Sequence, residues 1–441
     1  VFDSDVKKNL EKVFIIAGEC SGDITAAWYI KKIKDFGNST GPWPVLLPYW
    51  CPDVTKTPAD RPGVFPEGGT SGQDSDVIKT PADRPEFFPE GCNPRDIIFY
   101  GVGGEALEKA GVTLCYNYSS LNVTGVLEVI KYIPKFLFFI KRLIKKIDEL
   151  KIDRVVLVDF PGFNLRLMKK IKKYYPNIFI IYLAPPQMWC WGSWRIRSIK
   201  KYCDEVIVLY PHEVDWYKAY GLTVKYIGNP TYETLEQIIL SCRKKESLVA
   251  LIPGSRDDEI KKFLHICLSV AKRLKDLYPE VNFILPCASS FTKEWVKDKC
   301  INLGYKSFLS NITFVQGEER YEKLSQCCLA ITKPGTITLE LALLSVPSIV
   351  MFKISWVTYL LAKLFVKVKF MSLPNLFLDK FIFPEYIQKD CTKDNLFSSL
   401  SSLYKSFKSK TQKEQERYKN ILDSCEEIKD IFDYKCIVKR Y

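Results

Sequence analysis

The stretch Ile331–Glu340, ITKPGTITLE, decides how the chain reads, together with the apolar run that leads into it, Cys328–Thr332 (CLAIT). The apolar run is short enough to be a buried strand. Pro334 and Gly335 then make a turn, and ITLELALL, with threonines at its start, reads as an amphipathic helix. The first N–H groups of a helix have no internal partner, and its dipole favours negative charge at that end. A strand, a glycine turn and a hydroxyl-bearing helix start therefore make an anion cradle. Glu340, one turn in, is placed to accept hydrogen bonds from a sugar diol. Two readings stand for this stretch alone: a nucleotide-diphosphate site, or an ordinary strand–turn–helix with capping threonines.

Outward from this stretch, the second half of the chain alternates apolar runs at Val249–Ile252, Phe283–Leu285, Ile312–Val315, Leu329–Thr332 and Ser348–Phe352 with helical segments. The first half does the same. Strands are expected at Val13–Ala17, Ile97–Tyr100, Val155–Val158, Ile178–Leu183 and Val206–Tyr210. Helices are expected at Ile24–Lys34, Lys135–Leu150 and Leu165–Tyr174, with GECSGD (Gly18–Asp23) as a loop. Such alternation predicts an α/β chain with mostly parallel sheets and helices on both faces. At 441 residues it suits two doubly wound domains, facing a cleft, with ligands at the carboxyl ends of the strands. The boundary falls at GNPTYETL, giving domains of 1–230 and 231–400 and a charged helical tail, 401–441.

Residues 41–96 interrupt the first domain. VTKTPADRPGVFPEGG (Val54–Gly69) returns as VIKTPADRPEFFPEGC (Val77–Cys92), and prolines at this density preclude regular helix or sheet. Two copies are too few for a solenoid. The segment reads as an exposed insertion, extended or disordered, without chemistry of its own; a partner-binding role is the other reading. Cys51–Asp96 carries four acidic residues in excess, so the remainder of the chain carries +17 against +13 for the whole. The basic balance belongs to the folded body and points to an anionic membrane surface or phosphorylated substrates. No RNA-binding, zinc-finger or Walker signature accompanies it, so nucleic acid is not expected as a partner.

Fifteen cysteines are scattered without a repeating framework, many among apolar neighbours (Cys267, Cys287, Cys327, Cys328) where a thiol acts as a small hydrophobe. No signal peptide precedes Val13–Ala17. The expectation is a reducing cytosol. With two histidines and no CxxC pair, neither a histidine-rich nor a zinc site is expected. No run of apolar residues is long enough to span a bilayer. Ile133–Ile147 (IPKFLFFIKRLIKKI) and Tyr359–Phe370 (YLLAKLFVKVKF) mix large apolar residues with lysines, as helices lying on an anionic membrane do; amphipathic packing on a core is the alternative.

Three further loops carry small and polar residues at strand ends. GECSGD offers Gly18, Glu19, Ser21 and Asp23 for a sugar or phosphate, or Asp23 as a helix cap. VDFPGFN (Val158–Asn164) puts Asp159 at the end of an apolar strand, where burial would raise its pKa and suit it to take a proton, unless turn amides hold it. LIPGSRDDEI (Leu251–Ile260) repeats the Pro-Gly logic with Gly254, Ser255 and Arg256, whose guanidinium could neutralise a diphosphate.

The set GECSGD, GVGG, LNVTGVLEVI, VDFPGFN, APPQMWCW, YIGNP, PGSRDDEI, PGTITLE and SLPN, in this order from Val13 to about Lys389, resembles the lipid A disaccharide synthase family. The resemblance implies a GT-B-type fold of two Rossmann-like domains. It implies inverting transfer from UDP-2,3-diacylglucosamine to 2,3-diacylglucosamine 1-phosphate, forming a β-1′,6 link and releasing UDP. Carried over residue by residue, the catalytic positions are Asp159, Asn164 and Arg256. Glu259, Gly335, Thr336, Glu340, Ser372, Asn375, Glu385 and Gln388 join the loop residues above as substrate contacts. No cofactor and no metal are implied; Arg256 and backbone amides would stand in for one. Since both substrates carry acyl chains, the resemblance also implies a peripheral enzyme of the cytoplasmic face of the inner membrane, docked through Leu121–Leu143. The sequence leaves oligomeric state open, with a homodimer as one option.

Departures from the family pattern are Cys20 for the alanine of GEASGD, Gly162 for a second aspartate, Asn229 for a histidine, Pro334 for a serine, and one extra residue near Pro185–Pro186. They keep two alternatives in view: another UDP-sugar enzyme on this fold, or a sugar-nucleotide-binding homologue without turnover.

Overall fold

The computed structural model describes residues 10–38, 97–117, 126–190, 192–241, 244–288, 291–317, 319–356, 359 and 369–433. The 41–96 insertion with its repeat lies outside these residues. So do residues 360–368 of Tyr359–Phe370 and the first five residues of Leu121–Leu143. The chain divides into two compact units after Ile227.

The first unit runs β1 (Glu11–Ala17), α1 (Cys20–Asn38), β2 (Ile97–Gly103), α2 (Glu105–Lys109), β3 (Thr113–Asn117), α3 (Val126–Leu150), β4 (Arg154–Val158), α4 (Pro161–Tyr174), β5 (Phe179–Leu183), α5 (Ile196–Tyr202), β6 (Glu205–Val208), α6 (Pro211–Ala219) and β7 (Lys225–Tyr226). The strands form one parallel sheet in the order β3-β2-β1-β4-β5-β6-β7. β4 is buried at every position and β1 from Val13 onward, the pattern of strands covered on both faces. Ile15, Ile30, Val156 and Ile181 lie in the core between α1 and the sheet. Strand order reverses between β1 and β4, which pair in register from Val13↔Arg154 to Ala17↔Val158. The loops leaving Ala17 and Val158 therefore diverge from adjacent points, which opens a crevice at the strands' carboxyl ends.

The second unit runs α7 (Pro230–Leu240), β8 (Glu246–Ile252), α8 (Asp257–Leu277), β9 (Asn282–Pro286), α9 (Lys293–Asn302), β10 (Ile312–Val315), α10 (Glu319–Gln326), β11 (Cys327–Thr332), α11 (Thr336–Leu343), β12 (Ser348–Phe352), α12 (Leu373–Leu378), β13 (Glu385–Ile387), α13 (Lys393–Lys408) and α14 (Gln412–Phe432). Its six strands, also parallel, lie in the order β10-β9-β8-β11-β12-β13. Here the reversal falls between β8 and β11, with Ile252 beside Thr332. PGSR and PGT thus leave neighbouring strand ends. The residues expected as a tail supply α13 and α14, which bury Leu400, Leu403, Ile421 and Ile428 within this unit. The Tyr418 hydroxyl donates to the Cys328 carbonyl at 2.9 Å.

Several element boundaries differ from the sequence reading. α1 starts at Cys20, so most of GECSGD is first helical turn and not loop. GVG of GVGG is still strand. α4 begins at Pro161, whose missing N–H is no loss at a helix start. The short strands β3, β7 and β13 had no counterpart in the sequence reading.

Candidate active site

In the first unit the crevice is built around Asp159. Asp159 and Phe160 both hold φ of 44°, a left-handed conformation costing about 1–2 kcal/mol for each non-glycine residue. Three clamps hold them there. The Asp159 N–H donates to Leu183 O (3.2 Å) and the Tyr182 hydroxyl to Asp159 O (2.9 Å). The third clamp is Asn164, fully buried, whose amide donates to Val158 O (3.1 Å) and Asp159 O (2.8 Å). From the other loop, Gly18 lies so close to the Phe160 ring that a Cβ would come within 2.5 Å of it. Only glycine lets the two loops close in this way.

Burial, and then the negative charge of exposed Glu19, push the Asp159 carboxyl up to about 6, with the Phe160 N–H pulling the other way. The group is ionised at neutral pH yet basic enough to accept a proton. Ser21 is exposed on the first turn of α1 beside this site.

The second crevice is tied across its two loops. Gly254 has φ of 139°, and a Cβ there would meet the Glu259 side chain at 2.5 Å. Glu259 Oε2 accepts from the amides of Ser255 (2.9 Å) and Arg256 (3.2 Å), while Oε1 pairs with Lys333 at 2.8 Å. Burial acts to raise the pKa of Glu259, but Lys333 and those amides outweigh it and the net direction is down. Ser255 and Arg256 are left exposed. Gly335 has φ of 145°, closed to other residues, and exposed Thr336 begins α11, whose first amides are unspent within the helix. Thr338 donates to Gly335 O at 2.7 Å and accepts from the Leu373 N–H at 3.3 Å. Glu340 is half-buried one turn on; burial raises its pKa, opposed by the Arg320 charge and a hydrogen bond with Tyr321.

Other expected site residues are committed to the scaffold. Asp23 is buried and accepts from the amides of Gly104 (2.7 Å), Ala106 (3.0 Å) and Leu107 (3.4 Å), so it caps the start of α2. Asn164, expected among the catalytic groups, positions the Asp159 backbone. Glu259, expected as a contact, braces the PGSR loop. Glu385 accepts from Ser372 Oγ (2.7 Å) and Asn375 Nδ2 (2.9 Å). Asn375 Oδ1 in turn accepts from the Ile382 and Phe383 amides at 3.0 and 2.8 Å. Gln388 both accepts from and donates to the Ile354 backbone, at 2.8 and 3.1 Å. These four were expected to touch substrate; in the structure their polar atoms join α12, β13 and the end of β12 into one unit.

The sequence reading passed over Lys333, Tyr182, Arg320 and Tyr321. Tyr182 sits in an apolar run with nothing to mark it. Arg320 did carry a signal, since a cation in the first turn of a helix opposes the dipole and calls for another partner. Of the departures, Asn229 accepts from the Thr231 (2.9 Å) and Tyr232 (3.2 Å) amides to cap α7. A Cβ on Gly162 would meet nothing within 4 Å. Among the described residues no three His, Cys, Asp or Glu side chains come together in a way that could hold a metal ion.

The family profile for lipid-A-disaccharide synthetase matches residues 87–436. A Legionella pneumophila lipid-A-disaccharide synthase 1 is 34% identical over 321 residues, covering 70% of this chain and 81% of the relative. The chain belongs to the lipid-A-disaccharide synthetase family. A Myxococcus xanthus lipid-A-disaccharide synthase is 32% identical over 309 residues, 68% of this chain and 79% of that one. The motif resemblance and the family match agree, and the chain is a glycosyltransferase of lipid A biosynthesis. Among solved structures, the UDP-GlcNAc 2-epimerase of Neisseria meningitidis superposes with a TM-score of 0.52 at 12% identity, over 97% of this chain and 99% of that one. The glycosyltransferase of kitacinnamycin gives 0.51 at 9% identity, over 98% of each chain. At such identities the likeness is one of fold, the GT-B fold of two Rossmann-like domains.

Proposed function

We propose that the chain transfers the diacylated glucosamine of UDP-2,3-diacylglucosamine to the 6-hydroxyl of 2,3-diacylglucosamine 1-phosphate, with inversion, releasing UDP. The observation that carries this reading is Asp159: a carboxyl on a clamped backbone at the switch point of its sheet, with a pKa pushed up to about 6. In this role it takes the proton of the acceptor hydroxyl as that oxygen attacks the anomeric carbon. The departing diphosphate is met in the second unit by Arg256 and the amides at the start of α11, with Thr336 beside them and Glu340 on the ribose. Glu19, Ser21, Gly254 and Ser255 complete the two loops that the substrates meet.

Family membership brings lipid A precursors and a UDP-sugar as substrates; the finer placement at a membrane is part of this proposal. On α3, Leu137 and Phe138 are 46% and 62% exposed beside Lys141, Arg142 and Lys145, apolar and cationic groups that suit an anionic lipid surface. Among the described residues no helix is long and apolar enough to cross a membrane.

Two variants test the division of labour. Asp159→Asn should abolish transfer and leave UDP-sugar affinity near wild type, whereas Arg256→Ala should weaken the donor. Wild-type turnover in the first, or unchanged donor affinity in the second, contradicts the assignment.

A further inference from the structure

α10 begins with Glu319, Arg320 and Tyr321, a segment that carries no anion loop of its own. Even so, it brings a guanidinium toward the nucleotide crevice. The Arg320 guanidinium carbon lies 4.4 Å from the centroid of the Tyr321 ring, and its Nη2 donates to the Tyr321 hydroxyl. That hydroxyl is in turn hydrogen-bonded to Glu340 on α11. Arg320 Nε is buried and, among the described residues, has no hydrogen-bond partner. A cation in the first turn opposes the helix dipole, and burying it carries a desolvation cost. Both costs point to a carboxylate that needs its charge.

We propose that Arg320 is a positioning residue of the nucleotide site, holding Glu340 through Tyr321 as an oriented carboxylate that accepts both ribose hydroxyls of the donor. A carboxylate accepts from two hydroxyls at once, whereas a neutral carboxyl spends one oxygen as a donor and loses that geometry. The inference rests on the reading that Glu340 faces the donor ribose. Among the described residues, the groups acting on the Glu340 carboxyl are Arg320 and Tyr321; the other elements packed on α11 (α7, α12, α14, β11 and β12) bring no charged group to bear on it.

The test is calorimetric titration of UDP into the full chain across the neutral range, for the wild type, Arg320→Gln, Arg320→Lys, Tyr321→Phe and Glu340→Gln. Taking each affinity as a ratio to wild type at the same pH cancels the titration of the UDP phosphate. The Arg320 charge holds the Glu340 pKa down against burial, so losing it raises that pKa. The Arg320→Gln ratio should therefore be near one at alkaline pH and fall toward acid, approaching roughly tenfold per pH unit. Arg320→Lys should stay close to wild type, and Tyr321→Phe should show a smaller fall in the same direction. A ratio for Arg320→Gln that is reduced equally at every pH would overturn the inference. So would a flat Tyr321→Phe ratio, or an Arg320→Lys that slopes like Arg320→Gln. Glu340→Gln separates the two levels. If it binds UDP as the wild type does, the ribose placement fails and the inference with it. If it is weak while Arg320→Gln shows no slope, the inference alone fails.

Discussion

Replacing Asp159 by Asn should make the protein more stable as it removes activity. The carboxyl rises from its ordinary 3.8 to about 6 in the folded chain, chiefly through burial. Two pKa units correspond to about 3 kcal/mol of preference for the neutral form. A raised folded pKa means that the native state holds its proton longer than the unfolded chain does. Wild-type stability from this group is therefore complete below the unfolded value and is lost as pH climbs through the folded one. Asn keeps the shape and an acceptor for the Phe160 N–H but does not ionise, so it escapes that loss. The variant should match the wild type near pH ~3 and exceed it by about 2–3 kcal/mol near pH ~8. Urea unfolding followed by tryptophan fluorescence reports on the relevant half of the molecule, because seven of the nine tryptophans precede Ile227. A stability difference that does not grow with pH, or a variant less stable than wild type at pH ~8, would refute the account of Asp159 as a charge held against its burial.

Glu19 raises the Asp159 pKa by its charge, so Glu19→Gln should move the acid limb of the kcat/KM profile to lower pH, by less than burial contributes; an unmoved limb would separate the two groups. Gly254→Ala forces a Cβ within 2.5 Å of Glu259 at a φ of 139°. It should weaken donor binding by about tenfold or more, given a strain of about 1–3 kcal/mol, as read from UDP titration. Asn164→Ala removes two buried hydrogen bonds to the backbone around Asp159 and should lower kcat by about a hundredfold, with KM for the donor little changed.

The parts of this molecule that could be read from sequence were those with a local physical cause. Apolar runs ending in Pro-Gly, as at Ile252–Gly254 and Thr332–Gly335, announce a buried strand and a turn that only glycine completes, and both proved to be switch-point loops. Asp159 was legible for the same reason, as a carboxylate at the end of an apolar run. β3, β7 and β13 were not, because strands of five, two and three residues are too short for their pattern to stand out. Ser372, Asn375, Glu385 and Gln388 show a deeper limit: the network that joins them cannot be read until partners 7–34 residues away are placed. Lys333 and Arg320 were passed over because their partners, Glu259 and Tyr321 with Glu340, come together only once the loops converge.

The central claim is the reaction itself, and product analysis addresses it most directly. The full chain is incubated with UDP-2,3-diacylglucosamine and 2,3-diacylglucosamine 1-phosphate, and lipid and nucleotide products are resolved by mass spectrometry. The account predicts a disaccharide 1-phosphate and UDP in equal amounts with the wild type, and neither with Asp159→Asn. An epimerised donor, UDP released without disaccharide, or undiminished disaccharide formation by the Asn variant would contradict it.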